Sequence, residues 1–142
     1  MLRAVLDANV YVSALLRPEG PPGRILDRFL DRGDFQIVLS PGIVEEVLRA
    51  LAYPKVRRLL RGDVDPDLWF EDVAVLAEIV PGKRELPGVC DDPDDDLYLA
   101  AALEGRAGFV VTGDRAFLAH EDHEGVRILA PRAFLTFLEA GG

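Results

Sequence analysis

Acidic side chains end or follow several apolar segments of this chain, and five aspartates crowd the six positions from 91 to 96. Asp7 ends the apolar run LRAVLD, and Asp114 follows the run FVVTG. Glu45 and Glu46 come shortly after a third run, FQIVLS. Two carboxylates about 4 Å apart repel each other by roughly 4 kcal/mol at an effective dielectric of about 20, so a group of them needs a cation. Since oxygen-only sites favour hard cations, the pattern predicts a site for Mg²⁺ or Mn²⁺.

Helix capping explains only part of the aspartate cluster. An aspartate at a helix start accepts hydrogen bonds from backbone amides and favours the helix dipole, which accounts for Asp91 or Asp94 individually. Other kinds of site fit poorly, because the glycine and final glutamate of an EF-hand loop are missing and no nucleotide-binding glycine motif is present. His120 and His123 lack the HExxH arrangement and are expected in a solvated loop, while Cys90 is expected to be a small buried residue.

The elements that would position these carboxylates alternate between strands and helices. The segment NVYVSALL is compatible with either. Strands are predicted for LRAVLD, FQIVLS, GFVVTGD and VRILAP, and helices for GRILDRFLDRG, 41–52, 54–61, 66–79, the segment after the aspartate cluster, and PRAFLTFLEA. This alternation predicts a single α/β domain over residues 1–142, an α/β/α sandwich with a mainly parallel central sheet. In such sheets function gathers beyond the carboxyl ends of the strands, where Asp7, Asp114 and the aspartate cluster fall.

Composition limits the other possibilities. A length of 142 residues with 49% apolar residues suits one folded domain. No stretch approaches the roughly 18–20 apolar residues of a membrane span, and a lone cysteine cannot form an internal disulfide, so we expect a cytoplasmic protein with no membrane contact. The net charge of −9 by itself argues against a nucleic-acid partner. The basic residues are nevertheless concentrated in YPKVRRLLRG (53–62).

Four segments taken together resemble the PIN-domain family, in particular its VapC-like toxin branch. They are LDANVYVSALL, SPGIVEEVLRAL, DPDDDLYLAAAL and VVTGD, which occur in the family's order and cover most of the chain. Each segment alone is a weak signal, whereas the set is specific. The resemblance implies a ribonuclease that depends on Mg²⁺ or Mn²⁺ and is often the toxin of a toxin–antitoxin pair. It also implies a homodimer and an antitoxin partner, neither of which the residues themselves indicate.

The resemblance assigns catalysis and metal binding to four acidic residues, namely Asp7, Glu46, Asp95 and Asp114. Helical geometry barely separates Glu45 from Glu46, but the family glutamate lies six residues after the serine that here is Ser40. Alignment on DPDDD gives Asp95 as the third ligand, whereas the spacing to Asp114 in other branches fits Asp96, which remains an alternative metal ligand.

Further residues are implied in supporting roles. Asn9, Ser40 and Thr112 match polar positions beside the acidic ligands. Basic residues of segment 53–62 are candidates for contacts with the RNA backbone, against the alternative of a solvated or dimer-facing helix: Lys55, Arg57, Arg58 and Arg61.

The resemblance thus implies hydrolysis of RNA phosphodiester bonds. A different class of function, a catalytically silent PIN-like interaction module that only binds a partner, is the alternative. Acidic residues in all four segments count against it, because a silent relative would be free to lose them. Hydrolysis of a small phosphorylated molecule is a third, weaker hypothesis.

Overall fold

Six strands form one sheet in this computed structural model, which describes residues 1–86 and 93–141, Asp94 by its backbone alone. They are β1 (Arg3–Leu6), β2 (Gln36–Leu39), β3 (Glu78–Ile79), β4 (Phe109–Val111), β5 (Asp122–His123) and β6 (Val126–Leu129). Their order in the sheet is β3-β2-β1-β4-β6-β5. Only β5 is antiparallel to its neighbour, so within these residues the predicted mainly parallel sheet is confirmed.

Helices flank the sheet, as expected for the predicted α/β fold. In the described ranges they are α1 (Ala8–Leu16), α2 (Pro21–Leu30), α3 (Pro41–Leu51), α4 (Pro54–Leu59), α5 (Pro66–Leu76), α6 (Pro93–Glu104), α7 (Arg115–Leu118) and α8 (Pro131–Glu139). Ser40 and Asp65 cap α3 and α5 with their side chains, and a proline follows each cap as the sequence predicts. None of these helices is both long and apolar enough to cross a membrane.

The first strand and helix show why the chain turns where it does. Ala4, Val5 and Leu6 are fully buried in the middle of the sheet. Asp7 then ends the strand, and its Oδ1 accepts a hydrogen bond of 2.9 Å from the backbone amide of Asn9. That cap starts α1, so NVYVSALL is helical.

The core lies on both sides of the central strands and includes a run of aromatic contacts. Phe134 of α8 packs edge-on against Phe35 at 5.3 Å between ring centroids and lies 5.6 Å from Phe109 of β4. Offset and edge-on pairs of this kind contribute about 0.5–1.5 kcal/mol beyond the area they bury.

Several predicted boundaries were wrong. The helix predicted for 66–79 ends at Leu76, because Glu78 and Ile79 pair with β2 as the short strand β3 and the amide of Val80 donates to Leu39 over 2.8 Å. The helix predicted for 54–61 ends at Leu59. Helix α2 begins at Pro21, earlier than predicted, and the short elements β5 and α7 were not predicted. The predictions for Cys90 and Asp91, and that for the side chain of Asp94, lie outside the part of the chain that the structure describes.

The strand order reverses at the middle of the sheet. After β1 the chain builds outward through β2 and β3, then crosses back through α6 to place β4 on the other side of β1. In open α/β sheets ligands bind in the crevice beyond the carboxyl ends of the strands at such a point. The residues that follow β1 and β4 therefore occupy the favoured position for a site.

Candidate active site

Asp7 and Thr112 meet where the two central strands end. The amide of Asp7 donates to the carbonyl of Val111 at 2.9 Å, which fixes the two strand ends side by side. The Thr112 hydroxyl donates to Oδ2 of Asp7 at 2.6 Å. Both side chains are buried, Thr112 completely and Asp7 to 7% exposure. The Asp7 carboxylate is thus held by two donors, one on each oxygen.

Asp114 is joined to the same pair. The Thr112 oxygen accepts a hydrogen bond of 3.1 Å from the amide of Asp114, so one hydroxyl links both acidic residues. Asp114 is exposed, and its Oδ1 caps α7 by accepting from the amide of Ala116 at 2.9 Å. The cap uses one of the two carboxylate oxygens.

Helix α6 contacts the same edge through Tyr98. The hydroxyl of Tyr98 accepts a hydrogen bond of 3.2 Å from the amide of Ala8, the residue directly after Asp7. Asp95 lies three positions before Tyr98, and residues three apart share one face of a helix. Asp95 is buried, at 7% exposure, whereas Asp96 is half-buried.

Glu46 projects from α3. Its side chain is 25% exposed, whereas that of Glu45 is 76% exposed, which separates two positions that the sequence could not. Glu46 lines a groove of about 320 Å³ together with Asn9. Its Oε1 accepts a hydrogen bond of 3.4 Å from Nη1 of Arg49.

The remaining predicted residues lie around this edge. Ser40 ends β2, is buried, and caps α3 by accepting from the amide of Ile43 at 3.4 Å. The basic side chains are exposed on or just beyond α4, and among them Arg57 pairs with Asp67 of α5 at 3.3 Å: Lys55, Arg57, Arg58 and Arg61.

The donor types suit a hard divalent cation, but the side chains are not gathered around one position. Among residues 1–86 and 93–141, no group of three or more His, Cys, Asp or Glu side chains is placed to hold a metal ion. Glu46 is turned to Arg49, and Asp114 is turned to the start of α7. The contact between Glu46 and Arg49 is an exposed ion pair, a kind of contact that contributes little to stability. The cap by Asp114 contributes more, about 0.5–2 kcal/mol, and uses its Oδ1.

Two neighbours of the site were not predicted. Tyr98 lies three residues after Asp95, about one helical turn. This spacing indicates a shared helix face only when the segment is known to be helical. Arg49 lies three positions after Glu46, which is the helical spacing for an ion pair.

The chain matches one family of known proteins. Residues 3–116 match the family model described as PIN domain. The chain is 30% identical over 121 residues to the uncharacterized protein MJ1680 of Methanocaldococcus jannaschii, covering 85% of this chain and 76% of that protein.

Two solved structures share the fold. PAE2754 from Pyrobaculum aerophilum has a TM-score of 0.57 at 21% identity, covering 98% of this chain and 90% of that one. A chain of VapBC2 from Rickettsia felis, a structure bound to a DNA fragment of its promoter, has a TM-score of 0.60 at 13% identity, covering 91% and 98%. Identities this low show likeness of fold alone.

Proposed function

This chain belongs to the PIN-domain family, and on that basis we propose that it is a divalent-metal-dependent ribonuclease, the toxin of a toxin–antitoxin pair. The observation that carries the proposal is the hydrogen-bonded chain from Asp7 through Thr112 to Asp114 at the switch point of the sheet. A buried carboxylate held in one orientation is costly for a structure that has no use for its charge. At this edge it suits the binding of a cation.

The ligands of Mg²⁺ or Mn²⁺ in this proposal are Asp7, Glu46, Asp95 and Asp114, with Asp96 as the alternative to Asp95. When bound, the cation supplies charge that neutralises the scissile phosphate and lowers the pKa of a nearby water. Thr112 keeps the Asp7 carboxylate in one orientation. One carboxylate would orient the attacking water as it loses its proton, and we assign this role to Asp114 because it is the exposed member.

The partners follow from the same proposal. The likeness in fold to a VapBC2 chain supports an antitoxin that covers the site, and a homodimer is expected with it. The basic side chains of α4 would attract the RNA backbone, Lys55 and Arg58 in particular, because both are exposed whereas Arg57 is paired with Asp67. A cytoplasmic location suits an RNA substrate. Co-purification with the product of a small adjacent reading frame would test the antitoxin.

The decisive experiment measures melting temperature and RNA cleavage on the same antitoxin-free protein. A cation that binds only the folded state stabilises it by about 2.7 kcal/mol at a hundredfold excess over Kd. For a chain of this size that is a rise of several degrees. Mn²⁺ should raise the melting temperature and switch on cleavage of single-stranded RNA, and Asp7→Asn should weaken both effects together.

A matched pair of variants controls for charge. Glu46→Gln and Glu45→Gln remove the same charge from neighbouring positions of α3, and only the first should reduce cleavage. Stabilisation by Mn²⁺ without cleavage would favour the silent interaction module. If millimolar Mn²⁺ produces neither stabilisation nor cleavage, the nuclease proposal is wrong.

A further inference from the structure

A groove beside the acidic residues has the chemistry of a nucleotide-binding site. It lies between α1, α3 and α4 and encloses about 320 Å³. Its lining includes Asn9 and Glu46, two residues predicted for the candidate active site. The rest of the lining combines small apolar side chains with one cation and one aromatic ring: Val12, Arg49, Ala50, Tyr53 and Val56.

Tyr53 is an exposed aromatic residue on a fixed backbone. Its relative exposure is 63%, although large aromatic side chains are usually buried. The amide of Tyr53 donates to Ala50 at 3.3 Å, its carbonyl accepts from Arg57 at 3.0 Å, and Pro54 follows it. The end of α3 and the start of α4 thus hold the residue in place. A ring presented on a rigid backbone has little backbone entropy to lose when a base stacks on it.

Arg49 provides the positive charge at the boundary between the groove and the acidic residues. Its guanidinium contacts Glu46 at 3.4 Å and Glu45 at 3.8 Å, and its side chain is 68% exposed. The neighbouring α4 adds the exposed cation of Lys55. Metal binding by Glu46, which the proposed function requires, would remove one of the two carboxylates that contact the guanidinium and leave only Glu45 at 3.8 Å, so that Arg49 could also bind an anion. A phosphate of a bound RNA strand is an anion of the charge and size that suit this position.

We propose that this groove is a nucleotide subsite for single-stranded RNA, in which Tyr53 stacks on the base next to the cleaved bond and Arg49 binds the adjacent phosphate. The inference rests on the proposed nuclease function and specifies how its substrate is held. Aromatic rings favour single strands, because bases in a duplex are already stacked on each other. The subsite therefore predicts a preference for unpaired RNA.

The test measures binding separately from cleavage. Fluorescence anisotropy with a short fluorescein-labelled single-stranded oligoribonucleotide is carried out in the Asp7→Asn background, which leaves the RNA intact. Stacking on one aromatic side chain contributes about 1–3 kcal/mol, which corresponds to roughly a 5- to 140-fold change in Kd. Tyr53→Leu should weaken binding within that range, and Tyr53→Phe, which keeps the ring, should restore it.

Salt dependence identifies the phosphate contact. The slope of log K against log salt is negative, and loss of one phosphate contact to a single strand reduces its magnitude by about 0.7. Arg49→Gln should show that decrease. Arg106→Gln removes the same charge from an exposed position beyond the far end of α6, and its slope should equal that of the parent protein.

An RNA-side experiment keeps the proposal testable if a variant fails to fold. An oligonucleotide with an abasic nucleotide next to the cleaved bond should bind more weakly than its parent to protein that carries Tyr53, and equally weakly to Tyr53→Leu. Equal binding of both oligonucleotides to protein with Tyr53 would overturn the subsite. The subsite would also be overturned if Tyr53→Leu bound RNA as well as its parent but self-associated more weakly. That result would assign the groove to a second copy of the chain. Wild-type protein that never cleaves RNA overturns the nuclease proposal instead, so the two failures are distinguishable.

Discussion

Thr112 donates a hydrogen bond of 2.6 Å to Oδ2 of Asp7 across 105 positions of sequence. The bond joins the ends of two neighbouring parallel strands, on either side of the point where the strand order reverses. Because the Thr112 oxygen also accepts from the amide of Asp114, this one hydroxyl sets the relative positions of two acidic residues. It is fully buried, so water cannot replace it.

Replacing Thr112 with valine tests that role, since valine has the same shape without the hydroxyl. A buried polar group left without its partner costs about 1–3 kcal/mol, and the variant should lose free energy of unfolding in that range. Loss of a group that orients a metal ligand typically weakens metal binding or activity about 10- to 100-fold. Urea denaturation and Mn²⁺ titration measure the two effects. Thr112→Ser keeps the hydroxyl and serves as the control; a valine variant that matches it in both measurements would contradict the assignment.

Gly23 lies where α2 passes the preceding loop, and a side chain there has no room. A Cβ atom at this position would be 2.1 Å from the carbonyl oxygen of Pro18, which is backbone and cannot rotate away. Gly23→Ala should therefore lower the free energy of unfolding by about 1–3 kcal/mol or more, as overpacked substitutions do. Gly108→Ala meets nothing within 4 Å and should be close to neutral. Similar denaturation midpoints for the two variants would mean that the loop gives way.

Strands were predicted correctly where the sequence has a continuous run of apolar residues. RAVL and QIVL form central strands with no exposed side chains, and Ser40 and Asp65 cap the predicted helices. Strand β3 was missed because two residues carry no periodicity, and its conformation comes from pairing with β2. Tertiary pairing overrides local preference in such short segments.

The sequence indicated which residue types lie at this edge of the sheet but little of their geometry, and the metal-binding role of these residues stays a prediction. Asp7 and Asp114 were recognisable because each follows a buried strand. Glu45 and Glu46 are neighbours on α3, and the rotation of that helix against the sheet decides which of them is the less exposed. Their side-chain exposures are 76% and 25%, a difference that no sequence pattern indicates. The groove with Arg49 and Tyr53 joins three helices, and no contiguous stretch of sequence indicates it.

Tyr11 has a buried hydroxyl that lacks a hydrogen-bond partner within the part of the chain that the structure describes. Burial, with a smaller contribution from Tyr98, raises the pKa of the Tyr11 phenol far above its usual range. Its ring packs edge-on against Phe70 at 5.3 Å, so Tyr11→Phe should keep the packing. At neutral pH the variant should be as stable as the parent or more stable, because a buried unpaired polar group costs about 1–3 kcal/mol.

The sign of the pH dependence follows from the raised pKa. A tyrosine in the unfolded chain ionises near pH 10, whereas Tyr11 in the folded chain stays neutral well beyond that. Its contribution to stability is complete below about pH 10 and is lost as pH rises above it, since the unfolded state then releases a proton that the folded state keeps. Thermal melts from neutral to alkaline pH should fall less steeply for Tyr11→Phe. Parallel curves for the two proteins would rule out this contribution.

Asp95 rather than Asp96 is the expected metal ligand, because the contact between Tyr98 and Ala8 fixes how α6 is rotated. With Tyr98 directed at the residue after Asp7, the position three before it lies on the same side of the helix, and the position two before it is turned away. Asp95→Asn should abolish both the stabilisation by Mn²⁺ and the cleavage of RNA, whereas Asp96→Asn should leave a measurable fraction of each. The two substitutions remove the same charge from the first turn of the same helix, so each controls for the helix dipole in the other. The reverse result would assign the metal to Asp96 and shift the alignment of DPDDD by one position.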